Sequence, residues 1–318
     1  MRIINEKEAI HFAFERRGCQ TFGLQVNHPD YDVGYSSGIH SHDFPQIWYC
    51  SRGQYRHDVG GKSYDCTPGT LVMVPAGVFH DVRFTESTAE IVMLDMKYAM
   101  FLETDPVQWK NTILNLCMPA FAKELEYQPK FFVELGQDSR KKAEDLFSWL
   151  TMTMYSPQDT YNGKRIFDKI EELFTLPEFS YPQVDPAKAL NFFQTRLLPV
   201  LRIIAYLNIH YAEKIDDDQL LQDGGISRTG MYRYFSRVMG CTYSKYLQQL
   251  RVRKVLISLR NTTFSLSHIA DICGFCDMRH MSQVFSKYYG TTPKKVLAHI
   301  RDKYCKPRKL PCNPKNER

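Results

Sequence analysis

Two short stretches of the chain place hydrogen-bonding side chains at the spacing of a helix face. Arg228, Thr229, Tyr232 and Arg233 form the first, and Arg279, His280, Ser282 and Gln283 the second. A guanidinium matches the acceptor pair on a guanine edge, a carboxamide matches adenine, and small hydroxyls serve either. This is the chemistry of reading a nucleic acid rather than of breaking a bond. Thiols are offered nearby by Cys273 and Cys276 in CGFC. A C-x-x-C pair can act as a redox dithiol or clip a metal. No second C-x-x-C or histidine pair completes a zinc site here, and no βαβ pattern surrounds it, which leaves two thiols at a helix–turn junction. The nine cysteines are scattered and odd in number and outline no disulfide framework. Far upstream, His40 and His42 stand two apart, so on a strand both imidazoles share one face.

The reading residues need helices to hold them, and an internal repeat supplies these. ISRTGMYRYFSRVMG (226–240) matches DMRHMSQVFSKYYG (277–290) through Met231 and Met281, Phe235 and Phe285, Ser236 and Ser286, and Gly240 and Gly290. In each half a short helix, about 216–222 or 265–272, ends at Gly225 or Gly274. Ser227 or Asp277 then caps the next helix through its side-chain oxygen. Met231 and Phe235, or Met281 and Phe285, are four apart and face a local core. Gly224-Gly225 loosens the first turn, and Gly230 weakens its second helix by roughly 1 kcal/mol relative to Ala. Between the halves, residues 242–259 predict one helix about 26 Å long. Such a spacer could set two reading helices in successive major grooves, about 34 Å apart, with Arg251, Arg253 and Lys254 touching the backbone between them.

Charge agrees. Residues 201–318 hold 21 basic and 9 acidic residues, a net of +12, against −6 for the remainder, within a total of +6. Only one end of the chain is suited to a polyanion. Seven of those basic residues lie in the last eighteen, a flexible tail that adds phosphate affinity without specificity.

Residues from about 200 to 300 resemble the AraC/XylS regulators, through ISRTGMYRYFSRVMGCTYSKYLQQLRVRKV and IADICGFCDMRHMSQVFSKYYGTTP. Gly274-Phe275, Asp277, Phe285, Lys287, Gly290 and Pro293 follow that family's signature. The resemblance implies a double helix-turn-helix, with the outward residues named above as DNA contacts and Arg233 and Arg279 foremost. It also implies a homodimer that engages RNA polymerase in response to an effector.

Residues 20–100 read as short strands broken by turns, with Gly60-Gly61 turning a hairpin. Gly38 to Gln46 with Gly53, and Gly69 to Pro75 with Gly77 and His80, resemble the two cupin motifs. In metal-binding cupins the corresponding positions bind an ion, and here they are His40, His42, Gln46 and His80. A neutral amide in place of a carboxylate is a poor ligand for a divalent cation, so the expected site is an effector pocket without metal, with Tyr49, Tyr55 and Phe79 as its walls.

From 105 to 210 apolar residues recur at helical spacing. Phe193, Leu197, Leu201 and Ile204 form a stripe suited to a core or a dimer contact, and 176–186 reads as a linker. The expected fold is α+β: a cupin-like barrel (1–105), a helical dimerisation and linker region (106–195), an all-α double helix-turn-helix domain (196–302) and a basic tail (303–318). No signal peptide or membrane-length apolar run is present, so the cytoplasm is the default. The expected protein is a non-enzymatic transcription regulator, probing double-stranded DNA and a small molecule, with no cofactor. A metal-dependent cupin enzyme joined to a DNA-binding domain, and a constitutive regulator whose barrel only dimerises, stay open as alternatives.

Overall fold

TLVMV is the one stretch of the strand region with no alternation, and it forms the strand that is buried along its whole length. This is β5 (Thr70–Val74), between β2 (Gln46–Gly53) and the short β8 (Phe132–Glu134). The computed structural model describes residues 24–27, 31–42, 44–84, 88–96, 99–102, 107, 110–155, 163–179 and 184–305. Within them the chain forms two compact units, residues 24–247 and 248–305. Of the expected basic tail, residues 306–318 lie outside the described part. No helix among the described residues is long and apolar enough to cross a membrane.

The first unit opens with two antiparallel sheets. β1 (Leu24–Asn27), β7 (Ala89–Met96), β2, β5 and β8 make one, in that order, and β4 (Lys62–Cys66), β3 (Tyr55–Val59) and β6 (His80–Arg83) make the other. Gly60-Gly61 joins β3 to β4 with φ of 59° and 80°, the primed turn that matches strand twist. Trp48, Cys50, Tyr55, Val72, Val82, Phe84 and Met93 fill the space between the sheets.

Helices follow: α1 (Ala99–Leu102), α2 (Lys110–Leu116), α3 (Gln137–Tyr155), α4 (Gly163–Phe174), α5 (Pro186–Phe192), a π turn and α6 (Leu198–His210). Glu171 of α4 accepts from the backbone N–H groups of Asn111 and Thr112 and so satisfies the start of α2. The stripe Phe193, Leu197, Leu201 and Ile204 is buried within this unit and is core. The expected linker departs from its reading. Leu176, Phe179 and Val184 are buried, Phe179 meets Phe174 edge-on, and Glu178 accepts from Gly136 and Ser139. Prolines there start a 3-10 turn and α5 instead of loosening the chain. Residues 180–183 of that stretch lie outside the described part. Strand β8 was not expected, because three residues are too few for a period to register.

Four helices then follow: α7 (Asp217–Gly224), α8 (Arg228–Met239), α9 (Tyr243–Asn261), which carries the chain from one unit into the other, and α10 (Leu266–Ile272). The second unit ends with α11 (Met278–Tyr289) and α12 (Pro293–Cys305). At 19 residues α9 is about 28 Å long.

Candidate nucleic-acid interface and ligand pocket

In the first helix-turn-helix, Asp216 caps α7 by accepting from Asp218 and Gln219, and Gly225 closes it at φ 64°. Ser227 caps α8 by accepting from the Gly230 N–H at 3.2 Å. Gly230 therefore sits in the first turn, at the cap. A β-carbon on it would lie 2.9 Å from Ile226 Cγ1 and 3.1 Å from the capping Ser227 Oγ. One on Gly224 would lie 3.0 Å from Ile203 Cγ1. Both glycines are set by close packing, which corrects the expectation that they merely loosen the motif. Met231 and Phe235 are fully buried, Phe235 against Tyr246, while Arg228, Thr229, Tyr232 and Arg233 are exposed. Arg228 is paired with Asp217 at 3.0 Å and Asp218 at 2.9 Å.

The second helix-turn-helix repeats the design. Ser265 caps α10, Gly274 has φ 77°, and Asp277 accepts from the His280 N–H at 2.7 Å. That bond holds the Asp277 carboxyl below its usual range. Met281 and Phe285 are fully buried; Arg279, His280 and Gln283 are exposed and Ser282 is half-buried. The His280 ring turns to Cys276, with Nδ1 3.3 Å from Sγ, whereas Cys273 lies in the core. Sequence reasoning passed over Met278, 46% exposed at the first position of α11, where a thioether can meet a thymine methyl. A large apolar residue on an otherwise polar face was the available signal.

In the first unit, His40 and His80 face each other across an isolated antiparallel bridge, with N···O distances of 3.0 and 2.8 Å. The His42 ring joins them, at 4.8 Å from that of His40 and 5.0 Å from that of His80. Beneath lies His57 on β3, which the sequence reading did not include; its Nε2 is 2.9 Å from His80 Nδ1. Burial pushes the His57 imidazole down to about 3, aided by His40, and lowers His80 well below the usual range. Both rings are neutral at physiological pH. Gln46 is buried and points at protein: its Nε2 donates to Asp95 at 2.7 Å and its Oε1 accepts from Trp48 Nε1 at 3.1 Å.

The walls divide. Tyr55 lies in the barrel interior, stacked on Phe84, and Phe79 stands on the rim, 52% exposed. Tyr49 is a correction. It faces the other side of β2, stacked on Phe147 of α3, and donates to Glu144 at 3.2 Å. Residues 46 and 49 are an odd number apart on a strand and cannot share a face.

The histidine cluster is also linked to the first reading helix. The turn between β5 and β6 is tied to the histidine loop by the Gly77 N–H donating to the His42 carbonyl at 2.8 Å. Gly77 has φ 76°, and a β-carbon there would lie 2.9 Å from the Met239 carbonyl carbon and 3.1 Å from the Val238 oxygen, at the end of α8. Arg237 of α8 makes a two-point pair with Glu124, one arm at 2.6 Å, over the Phe121 ring.

A pair of helix-turn-helix units following a cupin barrel defines a class of regulator. Residues 29–97 match the cupin domain and residues 220–299 a helix-turn-helix domain. The chain thus carries an N-terminal cupin domain and a C-terminal helix-turn-helix domain and is similar to AraC-type regulators. It is 24% identical over 259 residues to the HTH-type transcriptional activator RhaS of Shigella sonnei and of Escherichia coli, covering 81% of this chain and 86% of those proteins. Its fold is similar to that of ToxT from Vibrio cholerae (TM-score 0.50, 11% identity, 87% of this chain and 98% of that one). The same holds for wild-type ToxT with an unsaturated fatty acid bound (TM-score 0.50, 13% identity, 89% and 96%).

Proposed function

We propose that this chain is a sequence-specific DNA-binding transcription regulator, controlled by a small molecule bound in its barrel. The observation that carries the control is the turn at Gly77, which closes the histidine pocket on one side and abuts the main chain of α8 on the other. A ligand that displaces His42 or its turn acts directly on the end of a DNA-reading helix. An effector need only prefer one attitude of that helix to shift its population.

On the DNA side, Arg233 and Arg279 take guanine, Gln283 takes adenine, and Thr229, Tyr232, His280 and Ser282 make base-edge or phosphate contacts. Arg228 joins them when it exchanges its aspartates for phosphate. His40, His42, His80 and Phe79 face the effector. The relatives named RhaS are activators, and ToxT has been seen with a fatty acid; on that footing the chain activates transcription, works with RNA polymerase as a homodimer in the cytoplasm, and has no catalytic role. The working division is a sensor at 1–105, a helical region at 106–195, the DNA-binding part at 196–302 and a tail from 303.

Two measurements test this. Binding of a selected operator by Arg233→Ala and Arg279→Ala is expected to weaken by about 1–3 kcal/mol each, with base preference relaxed. Unchanged profiles for both would sink the DNA assignment. Thermal unfolding against a metabolite panel is expected to reveal an effector, since ligand at 100 times Kd adds about 2.7 kcal/mol. No response in unfolding or in DNA affinity would leave only the constitutive reading.

A further inference from the structure

A cleft in the helical region has an apolar floor and an uncommitted charge at its rim. It lies between α2 and α5 and has a volume of about 320 Å³. Ile113, Leu114, Met118 and Phe193 make the floor, all of them buried, and the rim carries Lys110 and the exposed Ala187. The Lys110 ammonium makes no ion pair or hydrogen bond among the described residues. Glu171 and Asp185 border the rim, and both carboxylates are engaged. Glu171 accepts from the Asn111 and Thr112 N–H groups and from the Thr112 hydroxyl, and Asp185 accepts from the Ala187 N–H at 2.9 Å.

Both walls of the cleft end on the first reading helix. Phe193 opens a π turn (Phe193–Leu197), in which its carbonyl accepts from the Leu198 N–H five residues on. Such a turn holds one surplus residue and is found frequently at functional sites. Arg196 of that turn lies over the Phe192 ring at 3.7 Å and stands 5.7 Å from the Tyr234 ring of α8. On the other wall, Met118 precedes a 3-10 turn (Pro119–Phe121). The Phe121 ring meets Phe192 and Tyr234 edge-on at 6.1 and 6.2 Å, and the Arg237 guanidinium lies 5.0 Å from it. Tyr234 and Arg237 are three apart and share a face of α8.

We propose that this cleft is a second ligand site, taking a small apolar monocarboxylate whose charged end pairs with Lys110, and that filling it shifts α8 through the two turns. The volume suits a body of about ten non-hydrogen atoms, at roughly 30 Å³ each. An ammonium at the mouth selects an anion, and the apolar floor selects a hydrocarbon body. A sugar would bury its hydroxyls against side chains that offer no partner. The binding clause stands on the cleft; the clause on α8 rests on the DNA-binding reading given above.

The test titrates the full chain with octanoate in a calorimeter, with octanol as the uncharged comparison. About one octanoate per chain is expected, with octanol weaker by about tenfold or more, as the loss of a hydrogen bond between charged groups requires. Lys110→Met should remove that difference by weakening octanoate alone. Ala187→Trp, at an exposed position, should close the mouth and weaken both ligands; circular dichroism checks that each variant is folded. No saturable octanoate binding, or binding that survives unchanged in both variants, overturns the site. Equal affinity for octanoate and octanol in the unaltered chain overturns the role of Lys110. Operator affinity measured with and without octanoate tests the second clause. A several-fold change that Lys110→Met abolishes supports it; no change with octanoate bound overturns it and keeps the site. A chain that binds octanoate but no DNA in either state sinks the DNA-binding reading and leaves the site standing.

Discussion

Arg228 and Arg233 stand five positions apart on α8, and acidic neighbours give them different standing. Arg228 is held by Asp217 and Asp218, so any phosphate contact must displace two carboxylates, whereas the Arg233 guanidinium lies 5.4 Å from the Tyr234 ring. Replacing both aspartates by asparagine is expected to release Arg228. Non-specific DNA binding should strengthen, and the slope of log affinity against log salt should steepen by about one unit. An unchanged slope would show that the pair already opens on DNA. Gly230→Ala is a second test at this scale. Propensity favours alanine by roughly 1 kcal/mol, but its β-carbon meets Ile226 and the capping hydroxyl, so thermal unfolding should show no gain in Tm. The caps Ser227 and Asp277 were legible because capping is a local matter of one side chain and the next turn. His57 was not, because a lone histidine on a hairpin strand gives no sign of the ring it will meet 23 positions later.

The two reading helices show what a repeat can and cannot convey. Their buried pairs, Met231 with Phe235 and Met281 with Phe285, follow from the four-residue spacing alone, as do the exposed residues between them. Phe285→Ala is expected to cost about 3–5 kcal/mol, read as a lower denaturant midpoint for the second unit. Ser227→Ala should cost about 1 kcal/mol in the first. What remained illegible were elements fixed by distant partners. Strand β8 exists because β5 offers it an edge, and residues 176–179 are ordered because Glu178 finds Gly136 and Ser139. Proline-rich composition says only that a helix stops there; whether the stop is packed depends on residues about forty positions away.

At the scale of the molecule, the basic excess lies in residues 201–318, yet one of its members is committed elsewhere: Arg237 of α8 is held by Glu124 of the helical region. Glu124→Ala should return that charge to the DNA side and raise operator affinity, most visibly at low salt. Equal affinity at all salt concentrations would show Arg237 facing away from DNA. The charge split announced which end meets a polyanion; it could not announce this pair, since the partners are 113 positions apart. Gly77→Ala carries the corresponding test for the pocket. The new methyl group collides with backbone and adds about 1–2 kcal/mol for the left-handed conformation, so operator affinity should change in the absence of any effector. The junction it disturbs is made of main-chain atoms on both sides. A seam of that kind has no side-chain partner to be matched, so residues 238 and 239 can change type without leaving a paired trace at Gly77. Truncation of Val238 or Met239 to alanine leaves those backbone atoms in place. The seam answers to substitution at its glycines, Gly77 and, across from it, Gly240, whose added β-carbon would lie 3.5 Å from the Gly77 oxygen.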